Sequence, residues 1–211
     1  MHTHFTEFGN IRSLIIKHRP KHILELGALN GENTQNLLEI QPNLGFHLTV
    51  MSDDLSPEQV SSRDVTYLKG VSYKLIKALD DKSVDFVLLD TDHNYWTLHK
   101  ELGELHPKLT YDSIVLVHDV DTFYYDTGIA DGYGDGSSYP EDEIASVGSH
   151  NGSLGTGLLD FLAINKFAYR LIRWIPEGNG LAIIQKNPAE FGMNILKANK
   201  GRGKRQKGQL V

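Results

Sequence analysis

The feature that most constrains the fold is the stretch from Ile23 to Thr34, which reads Ile-Leu-Glu-Leu-Gly-Ala-Leu-Asn-Gly-Glu-Asn-Thr. A short apolar run carries a carboxylate, two glycines follow, and a polar helix start comes next. This pattern is typical of a β-strand that turns tightly into a helix while its backbone passes close to a nucleotide-like ligand. It predicts an α/β sheet whose first strand ends at a ligand site.

Strand-like and helix-like segments alternate along the rest of the chain. Apolar runs predict strands at 22–26, 46–51, 65–68, 84–89, 113–117, 169–175 and 181–185. Helical spacing predicts helices at 8–18, 34–40, 73–79 and 94–105, with Asn33 or Thr34 as N-cap of the second. The alternation indicates a parallel sheet. The last two strands are separated by Pro-Glu-Gly-Asn-Gly, which predicts a closing antiparallel hairpin.

The chain length and the uneven composition predict one folded domain with two special segments. A chain of 211 residues fits a single domain, which we place at residues 1–190. Residues 121–157 are acidic and glycine-rich with little periodicity, and we expect a mobile lid there. Residues 191–211 form a basic tail, for which a solubilising, disordered end is the simplest interpretation.

The composition also limits location and partners. The chain has no cysteine, so thiolate nucleophiles and disulfides are excluded. No apolar run is long enough to cross a bilayer, and the first residues are polar, so we expect a cytoplasmic protein that does not enter membranes. The net charge is −6, and an acidic body argues against nucleic acid as a partner, leaving only the tail for such contacts. A homo-oligomer is compatible with the sequence.

Several residues near the first turn are candidates for binding a cofactor. The spacing of Gly27 and Gly31 differs from the G-x-G-x-x-G pattern for a pyrophosphate, so a ligand without one, such as S-adenosylmethionine, fits better. Glu25 could then hold the cationic amino-acid end of that ligand. After the second strand, Asp53 (or Asp54) could accept hydrogen bonds from ribose hydroxyls, and Ser72 follows the third strand, where adenine would lie. An ordinary tight turn remains the alternative.

Acids and histidines follow the fourth and fifth strands, at Asp90, Asp92, His93, His118 and Asp119. Because neighbouring parallel strands end at one edge of the sheet, these side chains should meet where ligands bind. The carboxylates could hold Mg²⁺, and a histidine ligand would favour Mn²⁺, Fe²⁺ or Zn²⁺ instead. His93 could accept a proton from a substrate hydroxyl. Capping of strand ends by solvated side chains is the alternative.

These motifs resemble those of the class I S-adenosylmethionine-dependent methyltransferases. The stretch Glu25–Thr34 is similar to their first motif in its E-x-G-x-x-x-G-x-x-T form. The resemblance is strongest to the branch that has a D-x-x-H strand end and a later H-D pair; here these are Asp90–His93 and His118-Asp119. Metal-dependent sugar O-methyltransferases are related to this branch. The similarity extends over residues 20–187.

The resemblance implies a Rossmann-like, mostly parallel seven-stranded sheet of order 3-2-1-4-5-7-6, with strand 7 antiparallel and helices on both faces. The reaction it implies is methylation of a substrate oxygen, with His93 as general base. By motif position, cofactor contacts would come from Glu25, Gly27, Ala28, Gly31 and Thr34, and Asp53 and Ser72 are added from their places after the second and third strands. By motif position, Asp90 and Asp119 would be ligands for Mg²⁺ or Mn²⁺, and we add His118, which lies beside Asp119, as a third candidate ligand.

We therefore expect an S-adenosylmethionine-dependent O-methyltransferase that acts on a small hydroxylated molecule such as a sugar or polyol. His118 departs from the related enzymes, which carry an acid there, so the metal is the part of the resemblance with least support. An alternative is a non-catalytic module that keeps the cofactor pocket and binds a partner. A third, an NAD-dependent oxidoreductase, is disfavoured by the glycine spacing.

Overall fold

The computed structural model describes residues 5–53, 65–93, 95–121, 154–177 and 179–188. In chain order, the five helices of this part are α1 (Phe5–His18), α2 (Glu32–Leu44), α3 (Ser72–Leu75), α4 (Tyr95–Lys108) and α5 (Leu154–Ile164). A 3₁₀ turn, Ile76–Ala78, continues α3. The strands are β1 (His22–Leu26), β2 (His47–Ser52), β3 (Val65–Lys69), β4 (Val84–Leu89), β5 (Leu109–His118), β6 (Tyr169–Ile175) and β7 (Leu181–Lys186).

The strands form one sheet in the order β3-β2-β1-β4-β5-β7-β6. The pairs from β3 to β5 are parallel, whereas β7 runs antiparallel to both β5 and β6. This topology confirms the expected seven-stranded order and the closing hairpin. The order reverses between β1 and β4, which opens a crevice at their carboxyl ends, the usual position of a ligand in such sheets.

Helices cover both faces of the sheet, as expected. On one face, α1 and α2 pack Ile15 and Leu37 against strand residues such as Ile23. On the other face, α4 and α5 pack against the opposite side chains of the same strands, for example Leu24. Side chains alternate across a strand, so successive residues of β1 enter the two cores in turn. Burial on both faces explains why the central strands read as nearly continuous apolar runs.

The structure corrects the predicted start of α2. The helix begins at Glu32 and its N-cap is Gly31 at a φ of 79°, so the prediction of Asn33 or Thr34 as N-cap was wrong. Glycine takes this left-handed conformation without steric cost. The Thr34 hydroxyl serves a different purpose, because it bonds to Glu25 within the site described below.

Several other boundaries differ from the sequence predictions; α2, for example, ends at Leu44, four residues after its predicted end. Strand β5 begins at Leu109, four residues before the predicted start, because Leu109 pairs with Val84 ahead of a register shift in the ladder. Residues 154–157, which we included in the lid, form the first turn of α5. Residues 122–153 of that segment and the basic tail from 191 lie outside the described residues. Within the described residues, no helix is long and apolar enough to cross a membrane.

Candidate active site

The candidate site lies at the carboxyl edge of the sheet, where β1, β4 and β5 end side by side. Leu26 of β1 pairs with Leu89 of β4, and Leu89 pairs with Val117 of β5. The residues that follow these positions are Gly27, Asp90 and His118, so the register alone brings them together. This confirms that the two acid-and-histidine segments meet at one edge.

Four side chains form a compact cluster at this edge. His93 Nε2 lies 3.1 Å from Asp119 Oδ2 and 3.5 Å from Asp90 Oδ1. His118 Nδ1 lies 3.0 Å from Asp119 Oδ1 and 3.3 Å from Asp90 Oδ1. The Asp119 side chain is 3% exposed, while the other three keep 12–28% of their surface. Two imidazoles thus flank two carboxylates at a site that solvent reaches from one side.

The charges in this cluster are strongly coupled. Burial opposes ionisation of Asp90, but hydrogen bonds and charge interactions with His118 and His93 outweigh it and lower the pKa of Asp90. Burial alone would lower the pKa of His118, but its hydrogen bonds to Asp119 and Asp90 raise that pKa to about 11. A protonated His118 therefore balances part of the carboxylate charge.

The donor atoms fit a divalent cation, with one change in the ligand set. Asp90, His93 and Asp119 each offer a ligand atom, and these atoms lie within 4.8 Å of one another. This grouping contains His93, for which the sequence suggested the role of base, in place of His118. Two carboxylates and one imidazole suit Mn²⁺, Fe²⁺ or Zn²⁺ better than Mg²⁺. His118 contacts both carboxylates but lies outside this group.

Asp119 is held in an uncommon backbone conformation. Its φ is 57°, in the left-handed region that few residues other than glycine adopt. The next two residues are tied to the β6–β7 hairpin, since Val120 N donates to Gly180 O (3.3 Å) and Asp121 N donates to Asn179 O (2.8 Å). The hairpin therefore helps to aim the Asp119 carboxylate into the cluster.

The β1–α2 turn lies directly against this cluster. Gly27 has a φ of 77°, and a Cβ placed there would lie only 2.0 Å from the carbonyl oxygen of Asp90. The glycine is thus required by close approach to the protein's own backbone, a reason that the sequence did not indicate. Ala28 N donates to Ser52 Oγ at 3.3 Å, which attaches the turn to the end of β2.

Glu25 lies beneath the turn and is almost inaccessible, with 1% of its surface exposed. The Thr34 hydroxyl donates to its Oε2 at 2.6 Å, whereas Oε1 has no hydrogen-bond partner among the described residues. Burial raises the pKa of Glu25 to about 8, and the nearby Asp90 charge adds to the effect. An unpartnered buried carboxylate oxygen is costly and suits a site that a cationic group completes.

Comparisons with known proteins agree with this geometry. Residues 24–120 match the model of a family described as a methyltransferase domain. Residues 24–120 of this chain therefore carry a methyltransferase domain. The match extends from within β1 to just beyond the end of β5, and so includes every residue of the acid-and-histidine cluster. The resemblance to S-adenosylmethionine-dependent methyltransferases is confirmed at this level.

Solved structures share the fold of this methyltransferase at low sequence identity. The O-methyltransferase TomG from Streptomyces achromogenes, in complex with SAM, is 14% identical with a TM-score of 0.64, covering 89% of this chain and 82% of its own. The methyltransferase PaMTH1 from Podospora anserina, bound to SAH, is 16% identical (TM-score 0.62; 89% and 80% covered). MycE, in complex with Mg, SAH and mycinamycin VI, is 13% identical (0.58; 88% and 51% covered). Curated protein sequences give no match.

The remaining cofactor candidates of this methyltransferase lie at separate places along the edge. Asp53 follows β2 and is exposed. Asp54, the alternative to it, lies outside the described residues. Ser72 begins α3 after β3, and its hydroxyl donates to Glu101 Oε1. Gly31 closes the β1–α2 turn, since its N–H donates to Ala28 O at 2.6 Å.

Sequence reasoning missed two polar groups of the site, Glu101 and Asn33. Glu101 is fully buried in α4, and burial raises its pKa to about 8. The sequence did indicate that Glu101 is buried, because it falls at helical spacing between Leu98 and Leu105 and so lies on the apolar face of the helix. Asn33 lines a small cavity beside Asp90 and His118, and its buried Oδ1 has no hydrogen-bond partner among the described residues. No spacing rule marks Asn33.

Proposed function

We propose that this chain transfers a methyl group from S-adenosylmethionine to a hydroxyl oxygen of a small molecule such as a sugar or polyol. The observation that carries the proposal is the cluster of Asp90, His93 and Asp119, which lies against the β1–α2 turn and its buried Glu25. A cationic amino-acid group beside Glu25 would satisfy the open oxygen, and the methyl-bearing sulfur would then face the cluster. The complexes of TomG with SAM and of PaMTH1 with SAH support this choice of methyl donor.

In the proposed reaction the substrate oxygen attacks the methyl carbon, the carbon–sulfur bond breaks, and the sulfonium becomes a neutral thioether. The hydroxyl proton must leave as the carbon–oxygen bond forms. We assign its uptake to His93, because the carboxylates of Asp119 and Asp90 beside Nε2 stabilise the imidazolium that results. General-base catalysis of this kind contributes roughly 10²–10⁴-fold. The rest of the rate would come from holding the two reactants in line.

We also propose that Asp90, His93 and Asp119 can hold a divalent cation such as Mn²⁺ or Mg²⁺. Such an ion would supply Lewis acidity that lowers the pKa of the substrate hydroxyl and fixes its oxygen. MycE, whose structure contains Mg, supports this idea. His93 would then act as a ligand, and the proton would need another acceptor. His93 can therefore be either a ligand of the cation or the general base, and the two roles are alternatives.

Binding of S-adenosylhomocysteine tests the first step of the proposal. Isothermal titration calorimetry on the purified chain should show one site, and absence of binding at millimolar ligand would contradict the proposed function. Methylation of a panel of sugars and polyols, with chelator or with added Mn²⁺ or Mg²⁺, tests the second step. Binding without turnover on the whole panel would favour the non-catalytic module instead.

The cation is tested separately by titrating Mn²⁺ in calorimetry. Asp119→Asn and Asp90→Asn should weaken Mn²⁺ binding at least about tenfold, because each removes a charged ligand. Asp81→Asn is a suitable control, since this carboxylate is exposed and pairs only with Lys108 in the described part of the chain. Equal Mn²⁺ affinity in all three variants would contradict the metal site. The lid, the basic tail and the cytoplasmic location stay predictions.

A further inference from the structure

Glu101 is a buried carboxyl group that the proposed reaction does not use. It lies in α4 with no exposed surface. Both of its oxygens accept hydrogen bonds from hydroxyls at the carboxyl edge: Ser72 Oγ donates to Oε1, and Thr91 Oγ1 donates to Oε2 at 2.8 Å. We call these three residues the hydroxyl clamp.

The clamp joins two segments that are far apart in the sheet. Ser72 follows β3 and Thr91 follows β4, and the strands β2 and β1 lie between them. The two segments meet on the face covered by α4, where the Tyr73 and Trp96 rings also make an edge-to-face contact with centroids 5.3 Å apart. Through the clamp, a single side chain of α4 sets the distance between two loops that border the cofactor crevice.

Burying a carboxyl group costs free energy, so stability alone does not explain why a carboxyl group joins these loops. Its neighbours in α4, Leu98, Leu102 and Leu105, all pack into the core. An apolar residue at 101 would avoid the cost of burying a carboxyl group. The placement of Glu101 on this face points to a role in the site.

Building on the proposed function, we infer that Glu101 is a positioning residue for the adenosine end of the methyl donor. The amino-acid end is assigned to Glu25 at the end of β1, and the methyl group must face the cluster at β4 and β5. The adenosine is left to extend towards β2 and β3, beside the clamp. Ser72 and Thr91 keep exposed surface and can contact it, whereas Glu101 acts only through their hydroxyls.

The test compares two ligands that share the adenosine end. 5′-Methylthioadenosine lacks the amino-acid group that S-adenosylhomocysteine carries. Glu101→Leu should raise the dissociation constant of both ligands by the same factor, about tenfold, because two hydrogen bonds that orient the hydroxyls are lost. Glu101→Gln should restore most of the affinity, since its amide can accept from one hydroxyl and donate to the oxygen of the other.

Glu104→Leu is the matched control, because Glu104 lies on the same helix and pairs with Lys77 at the surface. It should change neither dissociation constant by more than about twofold. A Glu101→Leu protein that melts at a lower temperature but binds methylthioadenosine like the wild type would overturn the inference. So would a loss of affinity for S-adenosylhomocysteine alone, which would place the effect at the amino-acid end.

Thr91→Val keeps the inference testable if Glu101→Leu does not fold. This variant is nearly isosteric and removes only one hydroxyl, so it should weaken methylthioadenosine binding about threefold. Unchanged binding would overturn the inference while leaving the proposed function intact, provided that the wild type binds S-adenosylhomocysteine. A wild-type chain that binds neither ligand would contradict both.

Discussion

At the scale of single residues, the proposed role of His93 as general base is the one that experiment can test most directly. It contacts Asp119 and Asp90, at the end of the site where the substrate hydroxyl is proposed to react. His93→Gln should therefore lower the methylation rate by roughly 10²–10⁴-fold and leave S-adenosylhomocysteine affinity within about twofold of the wild type. Single-turnover kinetics and calorimetry measure the two quantities.

His47→Gln is a suitable control for this prediction. His47 is exposed at the start of β2, away from the carboxyl edge, and its ring bonds to Thr66. The control should keep the wild-type rate. A His93→Gln protein that turns over normally, or that loses ligand affinity as strongly as rate, would show that His93 is not the base.

The residues of the site illustrate what a sequence can and cannot indicate at this scale. The types and places of Asp90, His93, His118 and Asp119 could be predicted, because each follows an apolar strand. Their partners could not, since the pairing depends on side-chain directions at two strand ends. Glu25 and Thr34, both expected to contact the cofactor, also form a hydrogen-bonded pair that the sequence did not indicate.

At the scale of elements, the β1–α2 turn is the connection with the least tolerance for change. Gly27→Ala would create a contact of 2.0 Å with Asp90 O and would force alanine into a left-handed φ of 77°. We expect it to lower the free energy of unfolding by roughly 2–5 kcal/mol, the sum of backbone strain and overpacking. Urea denaturation measures the loss.

Gly45→Ala separates the two causes of that loss. Gly45 also has a positive φ, 70°, but a Cβ there would meet nothing within 4 Å. This control should cost only about 1–2 kcal/mol of backbone strain. If Gly27→Ala costs no more than Gly45→Ala, the turn can move away from Asp90, and the close approach does not constrain the site.

Elements also differ in how well the sequence predicted their limits. The ranges of β1, β4 and β6 were predicted to the residue, because each is an apolar or alternating run that ends before a glycine, an acid or a proline. The start of α2 was wrong because a left-handed glycine replaced a side-chain cap. The start of β5 was wrong because the pairing of Leu109 with Val84 depends on a neighbouring strand that no local pattern shows.

At the scale of the whole molecule, the buried carboxyl groups set how stability depends on pH. Burial raises the pKa of Glu25 and that of Glu101 to about 8, from 4.5. Between those values the folded state binds more protons than the unfolded state, so stability falls as pH rises, by up to about 1.4 kcal/mol per pH unit and group. The raised pKa of His118, about 11, adds a loss of the same sign above pH 6.5.

We therefore expect the free chain to be more stable near pH 5.5 than near pH 8, as measured by urea denaturation at several pH values. Glu25→Gln and Glu101→Gln should each reduce the slope between about pH 5 and pH 6.5, where His118 does not yet contribute. Glu104→Gln, at the surface, should leave the slope unchanged. A slope that neither Glu25→Gln nor Glu101→Gln reduces would show that the fold does not keep the two carboxyl groups protonated.

Ligand binding should change this pH dependence in a way that identifies the group responsible. A cationic amino group beside Glu25 favours the carboxylate and would lower the pKa of Glu25 in the complex. Saturating S-adenosylhomocysteine should therefore flatten the fall of stability between about pH 5 and pH 8, in addition to raising the unfolding temperature. In Glu25→Gln the ligand should still stabilise the chain but by an amount that varies little with pH. Parallel pH profiles of the wild type with and without ligand would show that the amino group binds elsewhere.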